Sequence, residues 1–264
     1  MSQKRHGKFE PIAHRKSQIT TLRQDYSAGH VIPEHFHDRA QLVYASRGVM
    51  TVRTAGSTWV VPTHRAVWIP AATPHSVAMS GAVAMRTLYF ASSVAKALPR
   101  SCCVMNVSAL LRELLLHACT YSALKRSNLQ QLHLIEVITD QLQAIETVPL
   151  QLANPSDARA SRLATMMMAN PGDRRTLSQL CQRAGISKRT AERIFQEQVG
   201  MTLGRWRQQV RLMQAMRLLA DGAKVTHAAL EAGYSTPSAF ISMFKKILGT
   251  TPTLYFRMSA RTQH

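Results

Sequence analysis

Leu180-Cys181-Gln182-Arg183-Ala184-Gly185-Ile186-Ser187 is echoed 48 residues later by Ala228-Ala229-Leu230-Glu231-Ala232-Gly233-Tyr234-Ser235. Further on, Phe195 and Gly200 align with Phe244 and Gly249 at an offset of 49, so one residue is inserted between the two anchor points. Each copy reads as a helix, a tight turn around Ala-Gly-(Ile or Tyr)-Ser, and a second helix started by a serine N-cap. Glycine permits a left-handed turn, the apolar residue after it plugs the angle between the helices, and serine caps the second helix. That is a helix-turn-helix unit. One such turn occurs in many helical corners; two copies in one strongly basic region point to nucleic acid.

The basic character is concentrated where the repeat lies. The 264-residue chain has 33 Lys+Arg against 14 Asp+Glu, net +19. Residues 158–264 hold 17 basic and 5 acidic residues, +12, whereas residues 17–157 hold 11 and 8, +3. Residues 1–16 add +4 through Lys4, Arg5, Lys8, Arg15 and Lys16 against Glu10. Charge of this density meets a polyanion or an acidic membrane surface, and it excludes most ordinary enzymes as a default reading. No apolar stretch approaches the length of a membrane span and no signal-peptide core comes after the basic N-terminus, so a cytoplasmic protein without membrane contact is expected. Cys102, Cys103, Cys119 and Cys181 show no CxxC spacing and are expected as free thiols.

Around the repeat the periodicity is helical throughout, with helices expected at about 158–169, 177–184, 188–198, 202–220, 226–232, 237–247 and 252–258. Thr176 with Gln179 forms a capping box. Gly185, Gly200, Gly222, Gly233 and Gly249 fall where helices would end. In the first recognition helix, Ala191, Ile194 and Phe195 make the inward stripe, leaving Lys188, Arg189, Glu192, Arg193 and Gln196 exposed.

The N-terminal half has a different rhythm. Residues 1–16 lack a period and read as a disordered basic arm. From Gln18 to Phe90, six or seven short runs rich in Val, Thr, Trp and Tyr predict a small all-β barrel or sandwich: 19–22, 41–45, 49–53, 58–61, 67–69, 76–79 and 85–89. Two amphipathic helices come next at 108–121 and 127–146, carried by Leu110, Leu111, Leu114, Leu115 and Ala118, and by Leu129, Leu132, Ile135, Ile138, Leu142 and Ile145. With Pro149 and Pro155, residues 148–157 read as a linker between an N-terminal domain, 17–147, and a C-terminal all-α domain, 158–264.

The C-terminal region resembles the DNA-binding domain of the AraC/XylS family of bacterial transcription regulators. The resemblance rests on Ala184-Gly185-Ile186-Ser187, Arg193-Ile194-Phe195, Arg211-Leu212-Met213-Gln214-Ala215, Ala232-Gly233-Tyr234-Ser235, Ser238-Ala239-Phe240, Phe244-Lys245 and Gly249-Thr250-Thr251-Pro252. It implies two helix-turn-helix units joined by one long helix, each offering its second helix to the major groove of promoter DNA. Matched to the family's reading positions, Arg189, Glu192, Arg193 and Gln196 are the expected base readers of the first unit, with Ser238 and Ser242 in the second. Arg suits guanine O6 and N7 and Glu suits cytosine N4. Ser187, Lys188, Thr190, Thr236, Lys245 and Lys246 are the expected phosphate contacts. Short hydroxyls discriminate bases weakly, so the second unit is expected to supply grip and shape reading more than sequence. The resemblance also implies a homodimer and RNA polymerase as partners.

Gly29, His35, His37, Gln41 and Gly48 stand at the spacing of the first cupin motif, and Pro70, Ala72 and His75 resemble the second, with Ala in the usual glycine place. In metal-binding cupins the positions of His35, His37, Gln41 and His75 hold a divalent ion. Glutamine here removes the only anionic ligand, although three neutral imidazoles can still bind zinc, nickel or iron. The sequence therefore favours an effector pocket lined by these four residues over a metal cofactor. Tyr44, Trp59, Trp68 and Tyr89 are assigned to the core. The reading is a one-component regulator whose barrel senses a small molecule. Its rivals are a metal-dependent cupin enzyme with a basic helical appendage, which Gln41 weakens, and a non-specific architectural protein, which the polar variety of the first recognition helix argues against.

Overall fold

The computed structural model describes residues 7–8, 17–143 and 151–260. The chain divides into two compact units that part between Gln151 and Leu152, inside the segment read as a linker.

In the first unit the strands are Gly7–Lys8 (β1), Ile19–Tyr26 (β2), Val31–Phe36 (β3), Ala40–Arg53 (β4), Ser57–Val61 (β5), Arg65–Ile69 (β6), His75–Phe90 (β7), Cys103–Asn106 (β8) and Ala123–Leu124 (β9). β7 is the hub, pairing antiparallel with β2, β3 and β4, while β4 also pairs with β5 along one half and β6 along the other. Strands that change partners part-way must bend, and the sheet curls around its own apolar face. The sequence predicts two strands each within β4 and β7. Instead each is continuous, because Gly48 and its neighbours form an irregularity between Ala45 and Val49 that bends the strand without ending it. Gly48 has φ +82°, and a Cβ there would lie 2.5 Å from the Ala82 carbonyl oxygen, so only glycine fits.

The two helices expected next are Ala109–Ala118 (α2) and Leu129–Gln143 (α3), preceded by a short turn of helix at Ser92–Ala95 (α1). Ser108 caps α2 by accepting from the Leu111 amide. Leu111, Leu115 and Ala118 join Leu134, Ile135, Ile138 and Leu142 in one buried cluster with Leu42, Trp68, Leu88 and Phe90 of the sheet. The apolar stripes thus close the sheet's core. Tyr44, Trp59, Trp68 and Tyr89 are all buried, as expected.

Of the arm read as disordered, only Gly7–Lys8 is described, and it pairs in parallel with His35–Phe36. The rest of the arm lies outside the described residues, as do 148–150 of the linker. The linker's end is not free chain: Gln151–Ala153 (β10) is extended, Leu152 is buried, and the Ala153 carbonyl accepts from Trp206 Nε1 at 2.9 Å.

The second unit comprises Ala158–Ala169 (α4), Leu177–Arg183 (α5), Lys188–Ile194 (α6) running into a π-helical turn at Phe195–Val199, Leu203–Ala220 (α7), Val225–Glu231 (α8), Pro237–Leu248 (α9) and Pro252–Ala260 (α10). Asp157 caps α4, and the Thr176–Gln179 capping box at α5 is complete.

Candidate DNA interface and sensor site

The sequence repeat is a repeat of hydrogen bonds. After α5 the Gly185 amide donates to Gln182 O and Ile186 to Cys181 O; after α8 Gly233 donates to Leu230 O and Tyr234 to Ala229 O. Both are Schellman ends with the glycine left-handed, at φ +72° and +85°. The inserted residue is also located. Ser187 caps α6 by accepting from Thr190 N, but α9 is capped by Thr236, which accepts from Ala239 N. The expected second serine cap is therefore corrected: Ser235 lies in the turn as the extra residue, and the caps are 49 apart.

Ala191, Ile194 and Phe195 are buried in the first unit, as are Phe240 and Phe244 in the second. Opposite them, Ser187, Lys188, Arg189, Arg193 and Gln196 are exposed on one unit and Thr236, Ser238, Ser242, Lys245 and Lys246 on the other, with Thr190 half-buried. Arg193 forms an exposed ion pair with Glu197 at 2.7 Å, a contact one turn apart that costs little to open. Ser187 Oγ and Thr190 Oγ1 are 2.8 Å apart.

Glu192 departs from expectation. It is half-buried, and its Oε2 accepts from the Leu203 amide at 3.0 Å. That amide is one of the orphan donors in the first turn of α7, where a carboxylate also meets the positive end of the helix. In this structure the carboxylate joins the recognition helix to the long helix as a cap. Glu192→Gln, measured by denaturant unfolding, should lower stability by about 0.5–1 kcal/mol and leave the preferred DNA sequence intact. A changed base preference would restore the reading role.

Two further functional residues are not evident from the sequence. Arg207 and Arg211, one turn apart on α7, turn away from solvent: both donate to the Asp173 carbonyl, Arg211 at 2.9 Å, and Arg211 Nε also reaches Pro171 O at 3.3 Å. Burial pulls both guanidinium pKa values down. A Cβ on Gly233 would lie 3.0 Å from Arg211 Nε and from Gly172 Cα. The 170–175 loop, α7 and the second turn are thereby held together. The spacing of the two arginines, four residues apart on one helix face, was the available signal.

In the first unit, His35 on β3 lies opposite His75 on β7 in the antiparallel register. His37 lies just beyond β3, where its carbonyl accepts from Ala72 N at 2.7 Å. Ala72, in the expected glycine place, has φ +58° and is the one non-glycine residue with positive φ among those described. The rings of His35, His37 and His75 are buried, with centroids 4.4, 4.8 and 5.4 Å apart. Burial and the neighbouring imidazoles bring His75 down to about 4, which keeps it neutral near pH 7. Gln41 is buried beside this group: its Nε2 donates to Tyr89 OH at 3.3 Å, and the Tyr89 ring packs against His37 at 4.8 Å. Burial raises the Tyr89 phenol far above its ordinary value, so it stays protonated.

The three histidines fit a metal. Nδ1 of His35 lies 2.7 Å from Pro33 O and Nδ1 of His75 lies 2.9 Å from Thr73 O. A carbonyl can only accept, so both Nδ1 atoms carry a proton, and the neutral His75 ring has its lone pair on Nε2.

The Helix-turn-helix domain family profile matches residues 180–258, starting at the first residue of the repeat, and the AraC-like ligand binding domain profile matches residues 18–147. The HTH-type transcriptional regulator NimR of Escherichia coli is 30% identical over 247 residues, 94% of this chain and 90% of that protein. The chain belongs to the AraC family of transcription regulators. The HTH-type transcriptional activator RhaR of Mannheimia succiniciproducens is 29% identical over 135 residues, 50% of this chain and 49% of that protein. The structure of fatty-acid-bound ToxT from Vibrio cholerae covers 91% of this chain and 94% of its own at 10% identity and a TM-score of 0.38. In this AraC-family regulator the helix-turn-helix repeat is the DNA-binding domain, and the sheet with its histidine cluster falls within the ligand-binding domain. No helix among the described residues is long and apolar enough to cross a membrane.

Proposed function

We propose that this regulator reads its promoter mainly through Arg189, Arg193 and Gln196 and grips phosphates through Ser187, Lys188, Thr190, Thr236, Lys245 and Lys246. Ser238 and Ser242 add weak discrimination, and Glu192 acts from behind as a cap. The exposure of two arginines on the first recognition helix, against two serines on the second, carries this asymmetry. A small molecule entering the sheet domain near Gln41 and Tyr89 is the input. The chain acts as a homodimer through the outer face of α2 and α3, where Leu110, Leu129 and Val137 remain 55, 66 and 41% exposed after the inner face has closed the core. Promoter-bound regulator then meets RNA polymerase. These are binding roles of a cytoplasmic protein and need no catalytic step.

Selection from random duplexes tests the asymmetry. Arg193→Ala should cost about 1–3 kcal/mol and relax preference at one or two base pairs. Ser242→Ala should cost less and leave the sequence nearly intact. Lys246→Ala should weaken all sequences about equally and lower the salt slope by about one. Greater information under the second unit than under the first would overturn the assignment.

A further inference from the structure

We propose that Arg207 and Arg211 are positioning residues for DNA binding: they clamp the loop entering the first helix-turn-helix unit onto the turn of the second, and so set where the second recognition helix meets the duplex. This rests on the reading that both recognition helices meet DNA. The loop, residues 170–175, leads directly into the capping box of α5 and thus into the first unit. Its Asp173 carbonyl accepts from both guanidinium groups, and Arg211 also spans to the Pro171 carbonyl. On its other side the loop meets the second unit backbone to backbone. A Cβ on Gly172 would lie 2.4 Å from the Glu231 carbonyl oxygen at the end of α8, and one on Gly233 would lie 3.0 Å from Gly172 Cα. Tyr234, next in that turn, packs its ring on Phe240 with centroids 5.2 Å apart, and its hydroxyl lies 3.8 Å from Met243 Sδ, both on α9. A continuous series of contacts therefore runs from α5 through the loop and Arg211 to the second recognition helix.

By itself α7 holds the separation less tightly. Its 18 residues span about 27 Å, so a tilt of about 7° where a unit packs on one end moves the other end by about 3.4 Å, one base-pair step. The clamp opposes that tilt because it ties the two units together away from the helix axis. Two half-buried cations one turn apart repel, and burial pulls both guanidinium pKa values down while the Asp173 charge holds them up. Donors spent on loop carbonyls are not available to phosphate. The effect of the two arginines on DNA is therefore carried by the groups they place, Ser238, Ser242, Lys245 and Lys246 of α9, all exposed.

The test uses the full chain with Arg211→Gln, Arg207→Gln and Gly172→Ala. Gly172 is not left-handed, so alanine there wedges the loop from Glu231 without touching an arginine. The readouts are selection from random duplexes and a salt series by anisotropy on the selected duplex. In Arg211→Gln and Gly172→Ala, base preference under the first unit should persist and preference under the second should fall to background. The salt slope should drop by about one to two as Lys245 and Lys246 lose their phosphates. Arg207→Gln should do the same to a smaller extent, since Arg211 still holds both carbonyls. Double variants separate positioning from general loosening: Lys246→Ala should lose at least about half of its logarithmic effect in the Arg211→Gln background, whereas Arg193→Ala should keep its full effect. An unchanged slope and second-unit preference in a folded variant, an equal loss under both units, or unfolding of all three variants would overturn the clamp. If Lys246→Ala and Ser242→Ala are silent in the parent chain, the two-helix reading fails and the clamp with it; failure of the clamp alone leaves those two effects intact.

Discussion

Binding of the full chain to duplex DNA should weaken about 10³–10⁴-fold as salt rises from about 50 to about 200 mM, a slope of log affinity against log salt of about −5 to −7. The slope is set by which cations can reach phosphate. Of the 17 basic residues after 157, Arg207 and Arg211 are half-buried and spent on the carbonyls of Pro171 and Asp173, and Arg175 pairs with Asp173 at 3.1 Å. Lys188, Arg189, Arg193, Arg205, Lys245 and Lys246 remain exposed on or near the two recognition helices. About five to eight neutralised phosphates at roughly −0.9 each give the stated range. A scrambled duplex should bind more weakly with a similar slope, since phosphate contacts carry no sequence. Fluorescence anisotropy over a salt series measures both, and a slope near zero would refute the phosphate interface.

The repeat is legible in the sequence because helix-turn-helix geometry is local. Gly185 and Gly233 mark left-handed positions, and the buried stripe of Ala191, Ile194 and Phe195 comes from helical spacing alone. The features hidden from the sequence are non-local. Glu192 looks like a groove residue by spacing on its own helix, and only the approach of Leu203, eleven residues on, reveals it as a cap. Ser235 looks like a cap by alignment, yet the inserted residue shifts that task to Thr236. In the sheet domain, alternation locates the strands, but Gly48 reads as a separator where it bends a continuous strand. His35 and His75 form one recognisable group from their motif positions. The Nδ1 protons of the two rings are held by the Pro33 and Thr73 carbonyls, which no side-chain pattern encodes.

Trp206→Ala should destabilise the DNA-binding unit by about 3–5 kcal/mol, enough to remove much of the stability of a domain this size. Trp206 is fully buried near the start of α7, its ring edge-on to Phe195 with centroids 5.4 Å apart. Phe195 begins the π-helical turn that ends the first recognition helix, so this contact fixes that helix against the long one. The indole nitrogen meanwhile holds the Ala153 carbonyl at 2.9 Å, anchoring the chain where it enters the unit. Trp206→Phe separates the two roles. It keeps most of the aromatic volume but leaves the Ala153 carbonyl without its donor, and should cost about 1–3 kcal/mol. Denaturant unfolding followed by the loss of DNA binding would read both variants. If Trp206→Ala unfolds at the wild-type midpoint, the first recognition helix is held by Glu192 and the Leu203 amide instead, and the stability ranking of those two contacts reverses.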